Sequence, residues 1–182
     1  MNAKVIGTEE LMVKFRVLNE AVQEENLSAA TLAGGTVIVG ATKENIAAQG
    51  LIRTRNLSRS IHEEVLERSS QRVVVGIGTN VDYGPIHEFG GVIQAKRSKY
   101  LAIPVNGASG SPAKRSDLHV LKTAGGTLVL VDASGQIQYV LRSSVTIPAQ
   151  PYLRPALDEH GDEAQEEIGR ALAALIEKAA VS

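Results

Sequence analysis

The sequence predicts an α+β protein in which helices come first, strands follow and a helix ends the chain. Apolar residues recur at helical spacing near both ends, and short β-branched runs separated by glycine-containing turns lie between them. No strand–helix–strand alternation occurs, which argues against a doubly wound parallel sheet. We therefore predict a single domain over residues 1–182. It comprises a helical arm (1–50), a sheet region (51–150) that includes a small antiparallel meander, and a C-terminal helix (151–182) packed on the sheet.

The first predicted helix carries a narrow apolar stripe. Thr8 supplies a capping hydroxyl at its start. The stripe residues are spaced by four, three and four positions, and further apolar residues widen it. A stripe this narrow on a helix this long is as typical of a helix that leans on a partner as of one that packs on its own core. The stripe consists of Leu11, Phe15, Leu18 and Val22, and the residues that widen it are Met12, Val13 and Val17.

Residues 28–49 combine helical and strand features. Their alanines favour a helix, whereas the β-branched run over 36–39 favours a strand. Gly34 and Gly35 would each cost about 1 kcal/mol inside an exposed helix unless another element packs closely there. We predict helix on both sides of a break or kink at these glycines, and leave helix or strand open for residues 36–40.

The sheet region begins with a polar, turn-like segment over 53–61. Residues 61–67 fit two structures, because Ser60 and Glu63 resemble a helix capping box while their apolar residues alternate as in a strand. Residues 72–79 are predicted as a strand, so a hairpin is the more economical interpretation. A strand over 99–105, a mobile loop over 106–117 and a meander follow. The predicted meander strands are 118–122, 127–131 and 136–142.

One short segment, residues 81–91, concentrates aromatic, turn-forming and charged residues. Asp82, His87 and Glu88 could begin a metal-dependent hydrolase site, but the position four residues after His87 is Gly91, so the HExxH zinc pair is missing. A structural corner is therefore favoured, with Tyr83, Ile86 and Phe89 anchoring it in the core. We predict that the corner contacts the Pro151-Tyr152-Leu153 segment. No catalytic, cofactor or metal site is predicted.

Composition narrows the classes of function. The chain has no cysteine and a formal net charge of −1, which argues against thiolate chemistry and against a general nucleic-acid binder. No apolar run is long enough to span a membrane and no apolar signal core is present, so a soluble cytoplasmic protein is expected. A nucleic-acid-binding accessory protein remains an alternative through two basic clusters. Those clusters are Arg53, Arg55 and Arg59, and Lys96, Arg97 and Lys99.

Four motifs in order carry a resemblance to a known family. They are Thr54-Arg-Asn-Leu-Ser-Arg-Ser-Ile61, Val75-Gly-Ile-Gly-Thr-Asn-Val-Asp-Tyr-Gly84 with His87-Glu-Phe-Gly90, Tyr100-Leu-Ala-Ile-Pro104, and Ile147-Pro-Ala-Gln-Pro-Tyr-Leu-Arg-Pro-Ala-Leu157. The chain resembles the phage virion-morphogenesis proteins of the head–tail joining and tail-completion type, found in Mu-like phages, and the related lambdoid tail-component family. One departure is Arg55, which stands where the family usually has glycine.

The resemblance implies a non-enzymatic virion protein that forms a ring at the neck or tail end. Its partners would be further copies of itself and other phage neck and tail proteins, near packaged DNA and away from membranes. It would be found in the virion, and in the host bacterial cytoplasm during assembly. The resemblance also favours a strand for residues 61–67. Its motifs supply the candidate structural or interface residues, which are Tyr83, His87, Glu88, Phe89, Gly90, Pro148, Pro151, Tyr152, Leu153 and Pro155.

Overall fold

A computed structural model describes residues 8–21, 23–52, 54–69, 71–96 and 98–181. The helices are α1 (Thr8–Ala21), α2 (Glu24–Ala48), α3 (Asn56–Ser60), α4 (Gly84–Phe89) and α5 (Leu153–Val181). The strands are β1 (His62–Arg68), β2 (Val73–Gly78), β3 (Gly91–Gln94), β4 (Leu101–Pro104), β5 (His119–Lys122), β6 (Leu128–Val131), β7 (Ile137–Arg142) and β8 (Ser144–Ile147). Of the helices described, none is long and apolar enough to cross a membrane.

The chain divides into two compact units, and the predicted α+β class is confirmed. The first unit comprises Met1–Glu88 with Gln150–Ser182, and the second comprises Phe89–Ala149. The first contains the long helices and the β1–β2 hairpin, while the second contains the remaining strands. A single domain over the whole chain stays a prediction.

The core of the first unit forms where α2 and α5 pack along each other. One buried cluster joins α2 to α3 and to the start of α5 through Val39, Ile46, Leu57, Ile61 and Tyr152. A second joins the two long helices through Ile38, Ala41, Ala156 and Ala164. Ile77 of β2 packs against both clusters, so the hairpin closes one side of the same core.

The predicted helix on both sides of Gly34 and Gly35 is confirmed, but no break separates the two parts, because α2 runs without interruption from Glu24 to Ala48. Residues 36–40 are therefore helical. Both glycines are buried, and each marks a close approach of another element. A Cβ on Gly34 would lie 2.7 Å from the carbonyl oxygen of Ala164 in α5, and one on Gly35 would lie 3.2 Å from Val75 in β2. Tertiary packing offsets the local cost of the two glycines.

The hairpin over residues 62–78 confirms the strand interpretation of 61–67. β1 and β2 pair antiparallel, with His62 opposite Gly78 and Arg68 opposite Val73, and the register shifts between Val65 and Glu67. An isolated two-stranded hairpin is at most marginally stable in water, so packing against α2 supplies the support that it needs.

The polar segment before the hairpin is a short helix, α3, where the sequence predicted a turn. Arg55 precedes α3 with φ 60° and ψ 3°, in the left-handed region. Residues with a Cβ adopt this region at a cost of about 1–2 kcal/mol, which glycine avoids. This conformation gives a physical reason for the glycine that the resembled family has at the position of Arg55.

Replacing Arg55 by glycine is expected to raise the free energy of unfolding by roughly 0.5–1 kcal/mol, because the relieved backbone strain exceeds the extra entropy of glycine in the unfolded chain. Urea denaturation checks this. Arg55→Ala is the matched control, since it removes the exposed charge but keeps the Cβ, and it should give no gain. Equal gains in both variants would assign the effect to charge and contradict the prediction.

The second unit contains a four-stranded antiparallel sheet in the order β4-β7-β6-β5. Its last three strands in the chain form the predicted meander, which is confirmed. The sequence interpretation missed β3 and β8, which pair with each other as Gly91 opposite Ile147. The fully buried Tyr139 donates its hydroxyl proton to the backbone carbonyls of Ser109 or Gly110 in the 106–117 loop. The mobility of that loop stays a prediction.

Helix α1 confirms the predicted N-terminal helix but leaves most of its apolar residues exposed. Among the α1 side chains that the structure describes, only Val17 is buried, at 9% exposure. Leu11, Met12, Val13, Phe15 and Leu18 are exposed by 47–70%. Val22 and the Thr8 side chain lie outside what the structure describes. The stripe is therefore available for contact beyond this chain.

Candidate functional site

The corner predicted over residues 81–91 is a short helix whose Glu88 side chain caps the start of α5. Glu88 Oε2 accepts backbone hydrogen bonds from Tyr152 N at 2.8 Å and Leu153 N at 2.9 Å, and Oε1 accepts one from Arg154 N at 3.0 Å. Glu88 is only 7% exposed. The first N–H groups of a helix have no partners within it, and the helix dipole favours negative charge there. One carboxylate thus satisfies three such donors of a 29-residue helix.

The segment that enters α5 is held from two further sides. The backbone N–H of Gln150 donates to the carbonyl oxygen of His87 at 2.7 Å. From α2, Asn45 Nδ2 donates to the carbonyl oxygen of Tyr152 at 3.1 Å, and Gln49 Nε2 donates to that of Pro151 at 2.7 Å. The predicted contact between the corner and the Pro151-Tyr152-Leu153 segment is confirmed. We call this arrangement of α4, the end of α2 and the start of α5 the Glu88 junction.

Tyr152 anchors the junction in the core. Its side chain is 2% exposed and packs with Val39, Ile46, Leu57 and Ile61. Burial raises the pKa of the Tyr152 phenol above its usual value, and the nearby Glu88 carboxylate raises it further. Both causes disfavour the phenolate, so the ring is held as a neutral, largely apolar group.

This pKa shift predicts a loss of stability at alkaline pH. In the unfolded chain tyrosine ionises near pH 10, whereas folded Tyr152 ionises only at higher pH. The unfolded state therefore releases a proton first, and the free energy of unfolding falls as pH rises above about 10. The slope should be steeper in the wild type than in Tyr152→Phe, by at most about 1.4 kcal/mol per pH unit. Equal slopes in urea titrations between pH 9 and 11 would contradict this.

His87 lies beside a shallow groove on the first unit. Its ring meets that of Tyr83 edge to face, with centroids 6.0 Å apart. The groove has a volume of about 510 Å³ and is also lined by Gly50, Leu51, Thr54 and Asn56. Within the described part of the chain, the buried His87 Nδ1 has no hydrogen-bond partner. This geometry brings Tyr83 and His87 together, and the groove-lining residues that the structure describes include no carboxylate.

Two of the predicted core anchors are wrong. Phe89 is 77% exposed and Tyr83 is 42% exposed, whereas Ile86 is half-buried. The corner is anchored by the Glu88 carboxylate because three backbone N–H groups compensate its burial, which no aromatic ring could do. Phe89 is the last residue of α4.

The remaining candidate residues are divided between the two units, with Gly90 and Pro148 in the second and Pro155 in the first. Gly90 has φ +68°, and a Cβ there would lie 2.7 Å from the backbone nitrogen of Ala149, so the chain crosses itself closely at this point in the second unit. Pro148 is exposed in the same unit. Pro155 is half-buried in the first turn of α5, where its missing N–H removes no helical hydrogen bond. Whether any of these residues lies in an interface stays a prediction.

The geometry gives little support to the hydrolase alternative. Both oxygens of Glu88 are engaged by backbone donors, and Asp82 is exposed. Among the residues that the structure describes, no group of three or more His, Asp or Glu side chains is arranged to hold a metal ion. Of the proposed DNA-contacting side chains, Arg55, Arg59, Lys96 and Lys99 are exposed, while Arg53 and Arg97 lie outside the described residues.

Exposed apolar side chains are the feature that sequence reasoning underestimated. The chain has two phenylalanines, and both are exposed, Phe15 by 59% and Phe89 by 77%. Isolated exposed apolar residues are ordinary, but a run of them on one helix is typical of interaction surfaces. In the sequence, the apolar residues of α1 are spaced by four, three and four positions. This spacing was compatible with contact to a partner but did not require one.

Comparison with known proteins gives one family. The model of the HK97-gp10-like family, described as "Bacteriophage HK97-gp10, putative tail-component", matches residues 9–90. This segment runs from α1 to the end of α4 and includes Glu88, and it covers 82 of the 182 residues. No curated protein matches the chain. No solved structure matches it.

Residues 9–90 are thus similar to a phage tail-component family, and this similarity supports a structural protein of a phage virion. It does not separate the Mu-like branch from the lambdoid one. Residues 91–182, which include all but two residues of the second unit, the whole of α5 and the Pro148 to Pro155 motif, lie beyond the matched residues.

Proposed function

We propose that the protein is a non-enzymatic structural subunit that acts in head–tail joining or tail completion of a phage virion, as a ring-forming subunit at the neck. The similarity of residues 9–90 to a phage tail-component family carries this proposal. Its partners are further copies of itself and other neck and tail proteins. It is assembled in the cytoplasm of the host bacterium and is found in the virion.

The distribution of apolar side chains supports an assembly protein. Of the 14 large hydrophobic side chains exposed among the described residues, five lie on α1. A protein that worked alone would leave fewer of these contiguous on one helix. The second unit adds exposed strand residues, Val92 and Ile93 in β3 and Val120 and Leu121 in β5. Both units therefore offer apolar surface to partners.

The chemistry of the corner supports a structural role. His87 and Glu88 were the best candidates for acid–base catalysis. In the structure, however, the Glu88 carboxylate accepts hydrogen bonds from backbone N–H groups of α5, and the His87 carbonyl oxygen accepts one from the backbone N–H of Gln150. A general base must reach a substrate proton, and Glu88 is only 7% exposed within its own fold. The corner serves to join chain segments.

Deletion of the gene from the phage or prophage that carries it tests the proposal. Micrographs of the mutant lysate should show filled heads and tails that are separate, and a plasmid copy of the wild-type gene should restore joined particles. A copy with Glu64→Ala, which changes one exposed residue of β1, is the control for a general effect of substitution. Normal yields of infectious, joined particles from the deletion would refute the proposal.

DNA contact is a separate property to test, because a neck protein lies near packaged DNA. The exposed Arg55, Arg59, Lys96 and Lys99 would supply phosphate contacts, although the formal net charge of the chain is −1. Affinity for duplex DNA should then fall steeply as salt rises. Absence of binding at about 20 mM salt, where phosphate contacts are strongest, would remove DNA from the list of partners and leave the structural role intact.

A further inference from the structure

The two units carry opposite charges. The second unit, Phe89–Ala149, contains seven lysines and arginines, two aspartates and no glutamate, so its formal charge is +5. The rest of the chain contains 12 lysines and arginines and 18 aspartates and glutamates, so its formal charge is −6. The net charge of −1 for the whole chain is therefore the sum of a strongly basic unit and a strongly acidic one.

Basic side chains meet at one end of the four-stranded sheet. Arg142 ends β7 and lies opposite Leu101, the first residue of β4. Lys122 ends β5 and lies opposite Leu128, the first residue of β6. Because β6 and β7 pair antiparallel, the start of β6 and the end of β7 lie at the same end of the sheet. We call this end of the sheet, with the lysines beside it, the basic end.

Two further lysines lie beside these strand ends. Lys99 is two residues before β4, and its ammonium nitrogen lies 5.6 Å from the centre of the Tyr100 ring. Lys96 follows Ala95, whose backbone N–H donates to the carbonyl oxygen of Ser143 at 3.1 Å. All four basic side chains are exposed. In the part of the chain that the structure describes, none of the four forms an ion pair with a carboxylate.

The two aspartates of the second unit lie at the opposite end of the sheet. Asp117 precedes β5 and accepts a hydrogen bond from Arg115 Nε at 3.0 Å. Asp132 follows β6 and accepts a hydrogen bond from Gln138 Nε2 at 2.7 Å, as well as bonds from backbone N–H groups of its own turn. Neither carboxylate is therefore placed to neutralise the basic end.

A predominantly polar pocket of about 380 Å³ opens at the basic end. The lining side chains that can donate hydrogen bonds are Tyr100, Thr127, Arg142 and Ser143. Lys122 borders the pocket, because a Cβ on Gly126, which lines it, would lie 3.9 Å from Lys122 Cε. Arginine, lysine and hydroxyl donors are the side chains that contact the phosphates of nucleic acids.

We propose that the basic end binds the phosphate backbone of duplex DNA. Four cations close together fit a polymer with dense negative charge, and duplex DNA carries one charge per about 1.7 Å of its axis. An acidic helix of a second copy fits less well, because a protein–protein interface has an apolar centre that this polar pocket does not supply. Protein–DNA interfaces are more polar and more positively charged.

The proposal deepens the proposed function and rests on it for the source of the DNA, because a neck subunit lies near packaged DNA. The phosphate contacts of the basic end lie in the second unit, beyond the residues 9–90 that match the tail-component family. Phosphate contacts carry no information on base sequence, so binding is independent of sequence.

Fluorescence anisotropy of a short labelled DNA duplex, titrated with the full chain, tests the inference. The affinity should fall as salt rises from about 50 to 200 mM. For three or four phosphate contacts, the logarithm of the affinity should change with the logarithm of the salt concentration with a slope of about −3 to −4. Duplexes of unrelated sequence should bind equally. A slope near zero, or no binding at about 20 mM salt, would overturn the inference.

Single substitutions locate the site. Lys122→Gln and Arg142→Gln should each lower the affinity at about 50 mM salt by fivefold or more and reduce the slope by about one. Lys114→Gln is the matched control, because it removes the same charge from the same unit but lies next to Arg115, which contacts Gln138 away from the basic end. It should change the affinity by less than about twofold. Equal losses in all three variants would assign binding to net charge and overturn the inference.

A variant outside the strands covers the case in which a strand substitution fails to fold. Lys99→Gln lies before β4 and should weaken DNA binding as Lys122→Gln does. Unchanged DNA affinity in this variant, together with wild-type circular dichroism, would overturn the inference.

Two measurements identify the anion that is bound. Replacing sodium chloride by sodium phosphate at equal ionic strength should leave the DNA affinity within about twofold, and stronger displacement would show a site for free phosphate and overturn the inference. Sedimentation velocity without DNA detects a protein partner. Self-association that Arg142→Gln abolishes, with DNA affinity unchanged, would assign the basic end to a second copy and overturn it. The gene-deletion phenotype is independent of these results, so failure here is distinct from failure of the proposed function.

Discussion

Replacing Glu88 by alanine is expected to lower the free energy of unfolding by about 3–5 kcal/mol, because the first turn of α5 loses its only described side-chain acceptor. Three backbone N–H groups would remain without the carboxylate, and that of Tyr152 is buried. Water could reach the backbone N–H of Arg154 more easily, since Arg154 is exposed. It could not easily reach the backbone N–H of Tyr152, which lies beside the buried core. Urea denaturation followed by circular dichroism measures the loss.

Two further variants separate the causes of this loss. Glu88→Gln keeps the shape of the side chain but replaces one acceptor oxygen with a donor that faces N–H groups, so we expect about half of the loss. Glu64→Ala removes an exposed carboxylate from β1 and should change stability by less than about 0.5 kcal/mol. A Glu88→Ala protein that stays within about 1 kcal/mol of the wild type would show that the junction does not hold α5. That result would reopen a chemical role for Glu88.

The Glu88 junction shows which features of the candidate site could be predicted from the sequence and which could not. The sequence predicted that residues 81–91 form a structural corner and that it contacts Pro151-Tyr152-Leu153, and the hydrogen bonds of Glu88 confirm the contact. The prediction of which residue of the corner is buried was wrong, because Glu88 is buried and Phe89 is exposed. Hydrophobicity alone favours Phe89 over Glu88 for burial, whereas the partners that make Glu88 burial favourable are backbone groups 64–66 residues away.

Contacts between residues far apart in the sequence also explain the other features that the sequence did not predict. The glycine pair of α2 looked like a helix break because the local sequence reveals helix propensity but not the elements that pack against the helix. The neighbours of Gly34 are Ala164 and Ile168, more than 100 residues later. The strands β3 and β8 are short, and each is recognisable only through the other. The exposed stripe of α1 was visible as an apolar pattern, but the pattern does not say whether its partner lies in the same chain.

The second large effect is expected at Gly34. Gly34→Ala should lower the free energy of unfolding by about 2–3 kcal/mol, because the new Cβ would lie 2.7 Å from the Ala164 carbonyl oxygen and 2.6 Å from Ile168 Cγ1. The side chain of Ile168 can rotate, but the backbone oxygen of Ala164 moves only with α5. The two longest helices of the first unit must therefore separate, and the cluster of Ile38, Ala41, Ala156 and Ala164 lies at their contact.

Gly40 provides a control on the same helix. It is exposed and a Cβ there would meet nothing within 4 Å, so Gly40→Ala should raise stability by about 0.5–1 kcal/mol through helix propensity alone. One chemical change, made six residues apart in α2, is thus expected to have opposite signs. Urea midpoints of the two variants measure this directly. If both substitutions stabilise the protein, α2 and α5 do not approach closely at Gly34, and helix propensity outweighs tertiary packing at both glycines.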